Sequence, residues 1–307
     1  MQLKEIQCLP AIITVLLLLS LPAASVESIP VPDIADTLSA DMMMAHIHHL
    51  ADNIGVRPAG TEAEESAADY IFSELEMYGY TPEYSDPFDL HNELQSRNIT
   101  ATLKGENPEA IVIGAHYDSK PPAPGANDNG TGVAVTLELA RVMSDVTPPC
   151  TVIFAFFGSE EIIDGNSDHH HYGSRAMASD DNFVSGLRAM MSVDMVGVGT
   201  QFWVDSMGEA DDSWREYMIE VAQSEDVYVY TGETRAWSDH EAFEYAGVPV
   251  AWIHWRYDSE YHQATDTSDR IDPDLMMTTA RVLTLGVLGV DGTTSVAPRD
   301  TFDLRSF

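Results

Sequence analysis

Four nearly continuous apolar runs constrain the fold of this chain more than any other feature of its sequence. An apolar run without polar interruptions is typical of a strand buried on both faces, as in a parallel sheet. Helical patterns lie between these runs and after the last of them. The predicted strands are residues 110–115, 151–157, 190–193 and 248–255, and the predicted helices are residues 130–144, 211–224, 240–246 and 272–290. This alternation predicts an α/β fold in which helices are layered on a sheet.

Two further helices are predicted before the first apolar run. They cover residues 37–53 and 62–78, and the second has Thr61 as its N-cap and Gly79 at its end. No break in composition and no internal repeat divides the chain. We therefore predict one domain from about residue 27 to residue 292, followed by a C-terminal tail of residues 293–307.

The N-terminus has the pattern of a secretory signal peptide. Lys4 precedes an apolar run at residues 11–19, and small residues follow at 23–25. An uncleaved membrane anchor is the alternative, but the run is shorter than the ~20 residues that a membrane span needs. We predict a signal peptide of residues 1–25 and a secreted domain without stable membrane insertion. Cys8 lies in this segment, so Cys150 has no partner for a disulfide within the mature chain.

The charge of the chain excludes one class of partner. Fifty acidic residues stand against fifteen lysines and arginines, which gives a formal net charge of −35 at pH 7. Nucleic-acid binding needs a basic surface that displaces the counterions of phosphate groups. We therefore expect no nucleic-acid partner.

Acidic and imidazole side chains follow the predicted strands. Ligands of open α/β sheets bind outside the carboxyl ends of the strands, so these side chains are expected to share one crevice. A lone aspartate such as Asp128 is often only a helix cap or a turn residue. Several unpaired carboxylates in one crevice, however, would repel each other unless cations compensate them. The candidate residues are His116, Asp128, Glu160, Glu161, Asp194 and His262.

The types of these ligands indicate which metal they would bind. Imidazole and carboxylate groups without cysteine suit Zn²⁺ best, with Mn²⁺ or Co²⁺ as substitutes. Asp118 lies two residues after His116 in an extended segment, and it is predicted to accept the second imidazole N–H and orient the ring. Glu160 and Glu161 are adjacent and face different ways at a strand end. One of them can bind the metal while the other reaches a water molecule.

Six short motifs follow one another along the chain: "GAHYDS", "GANDNGTG", "FFGSEE", "SVDMVG", "SDHEAF" and "YHQATDT". In this order they resemble the motifs of the co-catalytic dizinc aminopeptidases, a family typified by bacterial secreted leucyl aminopeptidases. The segment "RPAGTEAEESAADYIFSELEMYGY" is similar to the N-terminal helix of that family, and the resemblance covers about residues 36 to 290. It implies a three-layer α/β/α sandwich with a mixed, mainly parallel central sheet.

The resemblance also implies a role for each candidate residue. Asp128 would bridge two Zn²⁺ ions, and the peptide between Asp128 and Asn129 would be cis. Glu160 would be the general base, and Tyr261 would stabilise the oxyanion of the tetrahedral intermediate. The implied ligands are His116 and Asp194 for one ion and Glu161 and His262 for the other.

The implied function is that of a secreted zinc-dependent exopeptidase that removes N-terminal residues from peptides with a free N-terminus. Glutaminyl cyclases, which use a single zinc ion, share the fold and several ligands, so they remain an alternative. Relatives that act at the C-terminal end of peptides also remain open. A non-catalytic peptidase-like binding domain is a further alternative, but such a domain has no need of the base Glu160.

Two features depart from the family pattern or resist assignment. The segment "IIDGNSDHHH" separates Glu161 from Gly173 and reads as an insertion at the rim of the crevice. Its histidines, His169, His170 and His171, could form an extra metal site, but we interpret the insertion as a solvated polar loop. Four aromatic residues either line a substrate pocket or pack on a strand, and none is assigned as a substrate ligand. They are Trp237, Trp252, Trp255 and Tyr257.

Overall fold

The computed structural model describes residues 31–91, 93–162, 164–166, 168–232, 234–290 and 295–296. The predicted signal peptide, residues 1–25, lies outside the described residues. So does the predicted tail, residues 293–307, apart from residues 295–296. Both stay predictions. Within the described ranges, no helix is both long enough and apolar enough to cross a bilayer.

The helices match the predicted pattern in their order. Thr61 is the N-cap of the third helix, and its side chain accepts a hydrogen bond from Glu64 N–H. This bond satisfies one of the free amides at the helix N-terminus. The helices are α1 (Val31–Ala35), α2 (Ala40–Ile47), α3 (Glu62–Met77), α4 (Thr131–Met143), α5 (Tyr172–Ala178), α6 (Asp181–Val184), α7 (Ser213–Ser224), α8 (His240–Tyr245) and α9 (Pro273–Gly289).

The strands include the four predicted ones and several that were not predicted. Those that form the main sheet are β1 (Glu83–Tyr84), β4 (Ile99–Leu103), β5 (Asn107–His116), β7 (Cys150–Phe157), β8 (Leu187–Val193), β9 (Gln201–Asp205), β10 (Val229–Tyr230) and β11 (Val250–Arg256). Short pairs outside it are β2 (Phe88–Asp89) with β3 (Gln95–Ser96), and β6 (Val146–Thr147) with β12 (Ser295–Val296).

The main sheet has the order β1-β4-β7-β5-β8-β11-β9-β10. The four predicted strands occupy its centre, where β7, β5, β8 and β11 run parallel to one another. The strands β4 and β9 flank this centre in the antiparallel sense. The predicted mixed, mainly parallel sheet is therefore confirmed.

Helices cover both faces of the sheet, because the central strands are apolar on both sides. On β5, Ile111 and Ile113 pack in one core cluster, together with side chains from α2, α3, α4, α7 and α9. Val112 points to the opposite face and packs with Phe243 of α8 in a second cluster. These two clusters form the interfaces between the three layers of the predicted sandwich.

The first predicted helix, residues 37–53, is divided in the structure. Its central part is α2, which has Ser39 as its N-cap, and a π-helical segment, His48–Ile54, continues it. Gly55 ends this segment with a φ of 83°, a left-handed conformation that glycine adopts without a steric penalty. The chain then turns towards Arg57, which contributes to the site described next.

Candidate metal centre and active site

The candidate site lies where the parallel central strands end. His116 is the last residue of β5, and Asp194 directly follows β8. Glu160 and Glu161 follow β7, and His262 lies in the loop after β11. Because these strands are parallel, their carboxyl ends meet at one edge of the sheet. The structure thus brings together side chains from distant parts of the sequence.

Two sets of metal-binding groups form at this edge and share Asp128. Within each set, the candidate ligand atoms all lie within 4.8 Å of one another. Every member is buried except His262, which is partly exposed. The first set is His116, Asp128 and Asp194, and the second is Asp128, Glu161 and His262. These are the two ligand sets that the family resemblance implied.

The distances within the sets are compatible with ligand atoms around one cation in each set. His116 Nε2 lies 3.3 Å from Asp128 Oδ1 and 3.6 Å from Asp194 Oδ1. His262 Nε2 lies 3.1 Å from Asp128 Oδ2 and 3.0 Å from Glu161 Oε1. Two ligand atoms on one tetrahedral zinc ion, each about 2.0–2.2 Å from the metal, are about 3.4 Å apart.

The hydrogen bonding of these atoms also favours a bound cation. Buried polar atoms are nearly always hydrogen-bonded, so each exception needs a cause. The candidate ligand atoms lack a hydrogen-bond partner among the described residues, although they lie close together. They are His116 Nε2, Asp128 Oδ2, Glu161 Oε1, Asp194 Oδ1 and His262 Nε2. A cation in each set would satisfy all of them, so the residues present fit a metal centre.

The electrostatics of the second set also favour a bound cation. Burial, together with the negative charges of Asp128 and Glu160, raises the pKa of Glu161 to about 8. Burial opposes the charged form of His262, but Asp128 and Glu161 outweigh it and raise its pKa to about 9. At neutral pH, protons would therefore have to occupy a site whose groups are good metal ligands when deprotonated.

Asp128 is held by its backbone and by the residue after it. Its N–H donates to Asp266 Oδ2 at 3.1 Å, and the Asp128–Asn129 peptide bond is cis, which confirms the expectation. The Asn129 side chain donates to Val193 O at 2.8 Å and accepts from Gly132 N–H at 2.9 Å. Asn129 therefore ties the loop that carries Asp128 to the end of β8 and to the start of α4.

Arg57, which the sequence analysis did not single out, anchors the same loop from below. Its side chain is fully buried and donates to Tyr117 O at 2.6 Å and to Gly125 O at 2.9 Å. Burial lowers the pKa of Arg57 to about 10, against the opposing charge of Asp118, so the guanidinium remains charged at neutral pH. A positive charge under the ligands offsets part of their mutual repulsion.

Asp118 connects the two glutamates to His116. Its Oδ1 accepts from Glu160 N–H at 3.0 Å, and its Oδ2 accepts from Glu161 N–H at 3.1 Å. The same Oδ1 lies 3.3 Å from His116 Nδ1, a close ionic contact without the geometry of a hydrogen bond. Asp118 thus fixes the backbone of both glutamates, a role that the sequence did not predict.

Glu64 supports the same segment from α3. Its Oε1 accepts from Ser159 N–H at 3.0 Å, just before the two glutamates. Its Oε2 accepts from Gly60 N–H at 2.6 Å. Burial and the charge of Asp118 raise the pKa of Glu64 to about 8. The conformation of the loop after β7 therefore depends on α3, whose sequence was assigned only as a helix.

Tyr261 lies at the rim of the crevice, next to a candidate ligand. Its ring stacks on His262 with the centroids 3.6 Å apart, and 48% of its surface is exposed. Desolvation and the negative charge of Asp128 raise the pKa of Tyr261 far above its ordinary value. The phenol therefore keeps its proton and can act as a hydrogen-bond donor.

The interpretation of the insertion as a solvated polar loop is wrong for His171. Its side chain is only 2% exposed, and Nε2 lies 2.8 Å from Glu160 Oε1. His169 does face the surface, where it stacks on His91 with the centroids 3.9 Å apart. The insertion thus returns to the site at its last residue, because His171 must lead into α5 beside β7.

The four unassigned aromatic residues all line the crevice. The cavity has a volume of about 740 Å³ and includes Asp128, Glu160 and His262 in its lining. Trp252 also packs in the sheet, where it stacks on His254 with the centroids 3.8 Å apart. The four residues, Trp237, Trp252, Trp255 and Tyr257, line the cavity together with Tyr261. Trp252 therefore both lines the cavity and packs on the sheet.

A layered α/β fold with acidic and imidazole groups at the carboxyl edge of its sheet, beside an open crevice, is suited to metal-dependent chemistry on a bound ligand. The sequence model of peptidase family M28 matches residues 98–286, which is more than half of the chain. The chain therefore belongs to peptidase family M28. This finding confirms the family resemblance drawn from the motifs.

Known proteins are similar to this chain in sequence and in fold. Aminopeptidase YwaD of Bacillus subtilis strain 168 is 29% identical over 211 residues, which are 62% of this chain and 44% of that protein. Leupeptin-inactivating enzyme 1 of Streptomyces exfoliatus is 27% identical over 218 residues, 68% of this chain and 48% of that protein. The chain thus spans just under half the length of these curated relatives.

Solved structures share the fold at lower identity. BSAP, a zinc aminopeptidase from Bacillus subtilis, superposes with a TM-score of 0.73 at 18% identity, over 81% of this chain and 94% of that one. A glutaminyl cyclase from Porphyromonas gingivalis superposes with a TM-score of 0.74 at 22% identity, over 82% of this chain and 98% of that one. These two likenesses show the fold, which is common to both activities.

Proposed function

We propose that this chain is a secreted zinc-dependent aminopeptidase that acts through two zinc ions. The observation that carries the proposal is the pair of ligand sets that share Asp128 and whose buried atoms lack hydrogen-bond partners among the described residues. The names of similar proteins support it, because they include an aminopeptidase and a zinc aminopeptidase. Export rests on the predicted signal peptide.

The two sets divide the candidate ligands between two ions. His116 and Asp194 would hold one zinc ion, and Glu161 and His262 the other, with Asp128 shared by both. A single zinc ion would leave the polar atoms of one set without a partner. Zinc bound here supplies a Lewis acid that polarises the peptide carbonyl and lowers the pKa of a water molecule.

Glu160 is the general base in this proposal. It lies in the lining of the crevice, and its Oε2 is 3.9 Å from His116 Nε2, on the side of the ligand sets. Glu160 takes a proton from the attacking water as the carbon–oxygen bond forms. It then delivers this proton to the amine as the carbon–nitrogen bond breaks. The protonated phenol of Tyr261 donates a hydrogen bond to the oxyanion that develops between these steps.

The charge of the crevice favours a substrate with a free N-terminus. Four carboxylates face it: the three proposed ligands Asp128, Glu161 and Asp194, together with Glu160. Two zinc ions would bring this group to about neutrality, which leaves carboxylate oxygens as acceptors for an ammonium group. The aromatic lining of the cavity offers contacts for an apolar first side chain.

Glutaminyl cyclase activity is the competing proposal, because the fold is shared with a cyclase of known structure. The sharing of Asp128 by two sets favours the two-ion peptidase. A cyclase closes an N-terminal glutamine and releases ammonia, whereas an aminopeptidase releases the free amino acid. The products of one glutamine-initiated peptide therefore separate the two activities.

The experiment is a product analysis with the zinc-loaded, purified protein and a matched panel of peptides. The panel contains one apolar peptide with a free N-terminus, its N-acetylated form and its C-amidated form, together with a peptide that begins with glutamine. We expect the free and the C-amidated peptides to lose their first residue at similar rates, and the acetylated peptide to be cleaved orders of magnitude more slowly. Efficient cleavage of the acetylated peptide, release from the C-terminal end, or formation of a cyclised N-terminus would contradict the proposal.

A further inference from the structure

His171 lies between two carboxylates in the interior of the protein. Its Nε2 is 2.8 Å from Glu160 Oε1, and its Nδ1 is 2.5 Å from Glu241 Oε2. A neutral imidazole has one donor and one acceptor nitrogen, whereas an ionised carboxylate only accepts. With an acceptor at each nitrogen, the ring needs a proton on both, so the contacts are those of an imidazolium ion.

The backbone fixes the position of this ring relative to Glu160. His171 N–H donates to Glu160 O at 2.8 Å, and Tyr172 N–H donates to Ser159 O at 2.9 Å. The segment that precedes α5 is thus hydrogen-bonded to the segment that carries the glutamates. His171 has a φ of 54°, in the left-handed region that is uncommon for residues other than glycine. The ring therefore has little freedom to leave Glu160.

A second pair of charges holds the far side of the ring. Arg175 on α5 donates from one terminal nitrogen to both oxygens of Glu241 at 3.0 Å. The same nitrogen lies 2.9 Å from His170 Nε2. Negative and positive groups therefore alternate from Glu160 through His171 and Glu241 to Arg175. Each charge in this row is paired with a neighbour of opposite sign, and such pairing offsets the cost of burying a charge.

We propose that His171 is a positioning residue for the general base Glu160. This inference rests on the proposed function. It contacts Oε1 of Glu160 and holds the carboxylate in one orientation, so that Oε2 is the oxygen presented to the reaction. The division of the two oxygens supports this, since Oε2 is the atom that faces His116 and the ligand sets. Neither the family membership nor the named relatives assign a role to His171.

The electrostatics around the ring agree with its charged state. Burial disfavours the imidazolium ion, but the charge of Glu160 and the carboxylate contacts outweigh it and raise the pKa of His171 to about 9. Asp239 also faces the ring and favours its charge. Two neighbouring imidazoles behave differently, because burial lowers the pKa of His170 to about 4 and that of His240 to about 3. Among these three histidines, His171 is the one that is charged at neutral pH.

A metal ion is the other occupant that this cluster suggests. His170, His171 and Glu241 offer ligand atoms within 4.8 Å of one another. The guanidinium of Arg175, however, already contacts both oxygens of Glu241 and Nε2 of His170. A cation bound there would have to displace another cation. We therefore favour the row of alternating charges over a metal site, and the test includes a count of the metal ions.

The test uses the zinc-loaded full chain with His171→Leu, His171→Gln and the control His169→Ala. Leucine removes both contacts, whereas glutamine keeps one donor towards Glu160. His169 belongs to the same insertion but contacts His91 at the surface. We expect kcat to fall about 10- to 100-fold for His171→Leu, with KM and zinc content unchanged. His171→Gln recovers part of this loss, and His169→Ala behaves like the wild type.

Two further readouts separate positioning from a merely structural role. In the Glu160→Gln background, His171→Leu is expected to cause no additional loss, because it acts through Glu160. Nitrogen NMR spectra of the imidazole groups in the zinc-loaded protein are expected to show an imidazolium ion at neutral pH that is missing in His171→Gln.

Each part of this test has an outcome that overturns the inference. These outcomes are an unchanged kcat for His171→Leu, a loss of zinc in this variant, or a neutral His171 ring in the NMR spectra. A wild-type protein that hydrolyses no peptide would instead overturn the proposed function, and the NMR spectra would still decide the charge of His171.

Discussion

Two sides of one crevice satisfy their polar atoms in opposite ways. On the ligand side, formed by His116, Asp128, Glu161, Asp194 and His262, buried nitrogen and oxygen atoms lie close together without hydrogen-bond partners among the described residues. On the base side, formed by Glu160, His171, Glu241 and Arg175, charged groups alternate at contact distances of 2.5–3.0 Å. The protein completes the base side with its own side chains, and it leaves the ligand side to be completed by cations.

This difference matters for chemistry because the two sides have different tasks. Metal ligands must be free to bind a cation, so internal partners would compete with it. A general base must instead be held in one orientation, with one acceptor oxygen available to the substrate water. Glu160 and Glu161 are adjacent in sequence, yet each belongs to a different side. The boundary between the two environments therefore passes between neighbouring residues.

The matched variants Glu160→Gln and Glu161→Gln give the largest expected contrast. Glu160→Gln removes the proton acceptor but no proposed ligand, so we expect zinc content like that of the wild type and a loss of about 10²- to 10⁴-fold in kcat. Glu161→Gln is expected to lose zinc from one of the two sets. Elemental analysis of both variants, beside turnover on the same free peptide, provides the measurement. Zinc loss in Glu160→Gln with normal zinc in Glu161→Gln would exchange the two roles.

A smaller effect is expected on the stability of the folded protein when metal is removed, and this effect depends on pH. In the folded chain without metal, the pKa of Glu161 is about 8 against an ordinary value of 4.5, and that of His262 is about 9 against 6.5. The folded state thus keeps protons that the unfolded state releases. The stability that these protons contribute is present at low pH and is lost as pH rises from 4.5 to 8 for Glu161 and from 6.5 to 9 for His262.

Urea unfolding of the metal-free protein, prepared with a chelator, and of the zinc-loaded protein tests whether stability falls as pH rises. Each proton held only by the folded state changes the free energy of unfolding by about 1.4 kcal/mol per pH unit within its window. The chelated protein is therefore expected to lose stability from about pH 5 to about pH 8, and the zinc-loaded protein to resist this loss. Parallel pH profiles for the two forms would mean that the ligand side does not need a cation.

The ligand side could largely be predicted from sequence, whereas on the base side only Glu160 could. His116 and Asp194 directly follow apolar strands, so the rule for parallel sheets brought them to one edge. The division of the ligands into two sets came only from the family resemblance. On the base side, His171 reaches Glu160 through a left-handed backbone and Glu241 arrives on α8, and neither event leaves a periodic pattern in the sequence.

The same contrast holds for the fold and for the supports of the site. The four central strands were predicted because burial on both faces requires uninterrupted apolar residues. The flanking strands β4 and β9 were missed, since both are short and carry polar residues in their sequences. Arg57 reads as a surface residue in isolation, because charged side chains are rarely buried without partners. Only the folded loop, with its carbonyl groups turned inward, provides those partners.

The central claim is that cations complete the ligand side and that the base side needs none. Anomalous X-ray diffraction at the zinc absorption edge, from crystals of the zinc-loaded full chain, tests this claim most directly. The account predicts two anomalous peaks, one at each ligand set, with Asp128 in contact with both and no peak between His171 and Glu241. A single peak with Asp128 turned away from it, or a peak at His171 and Glu241, would contradict the account.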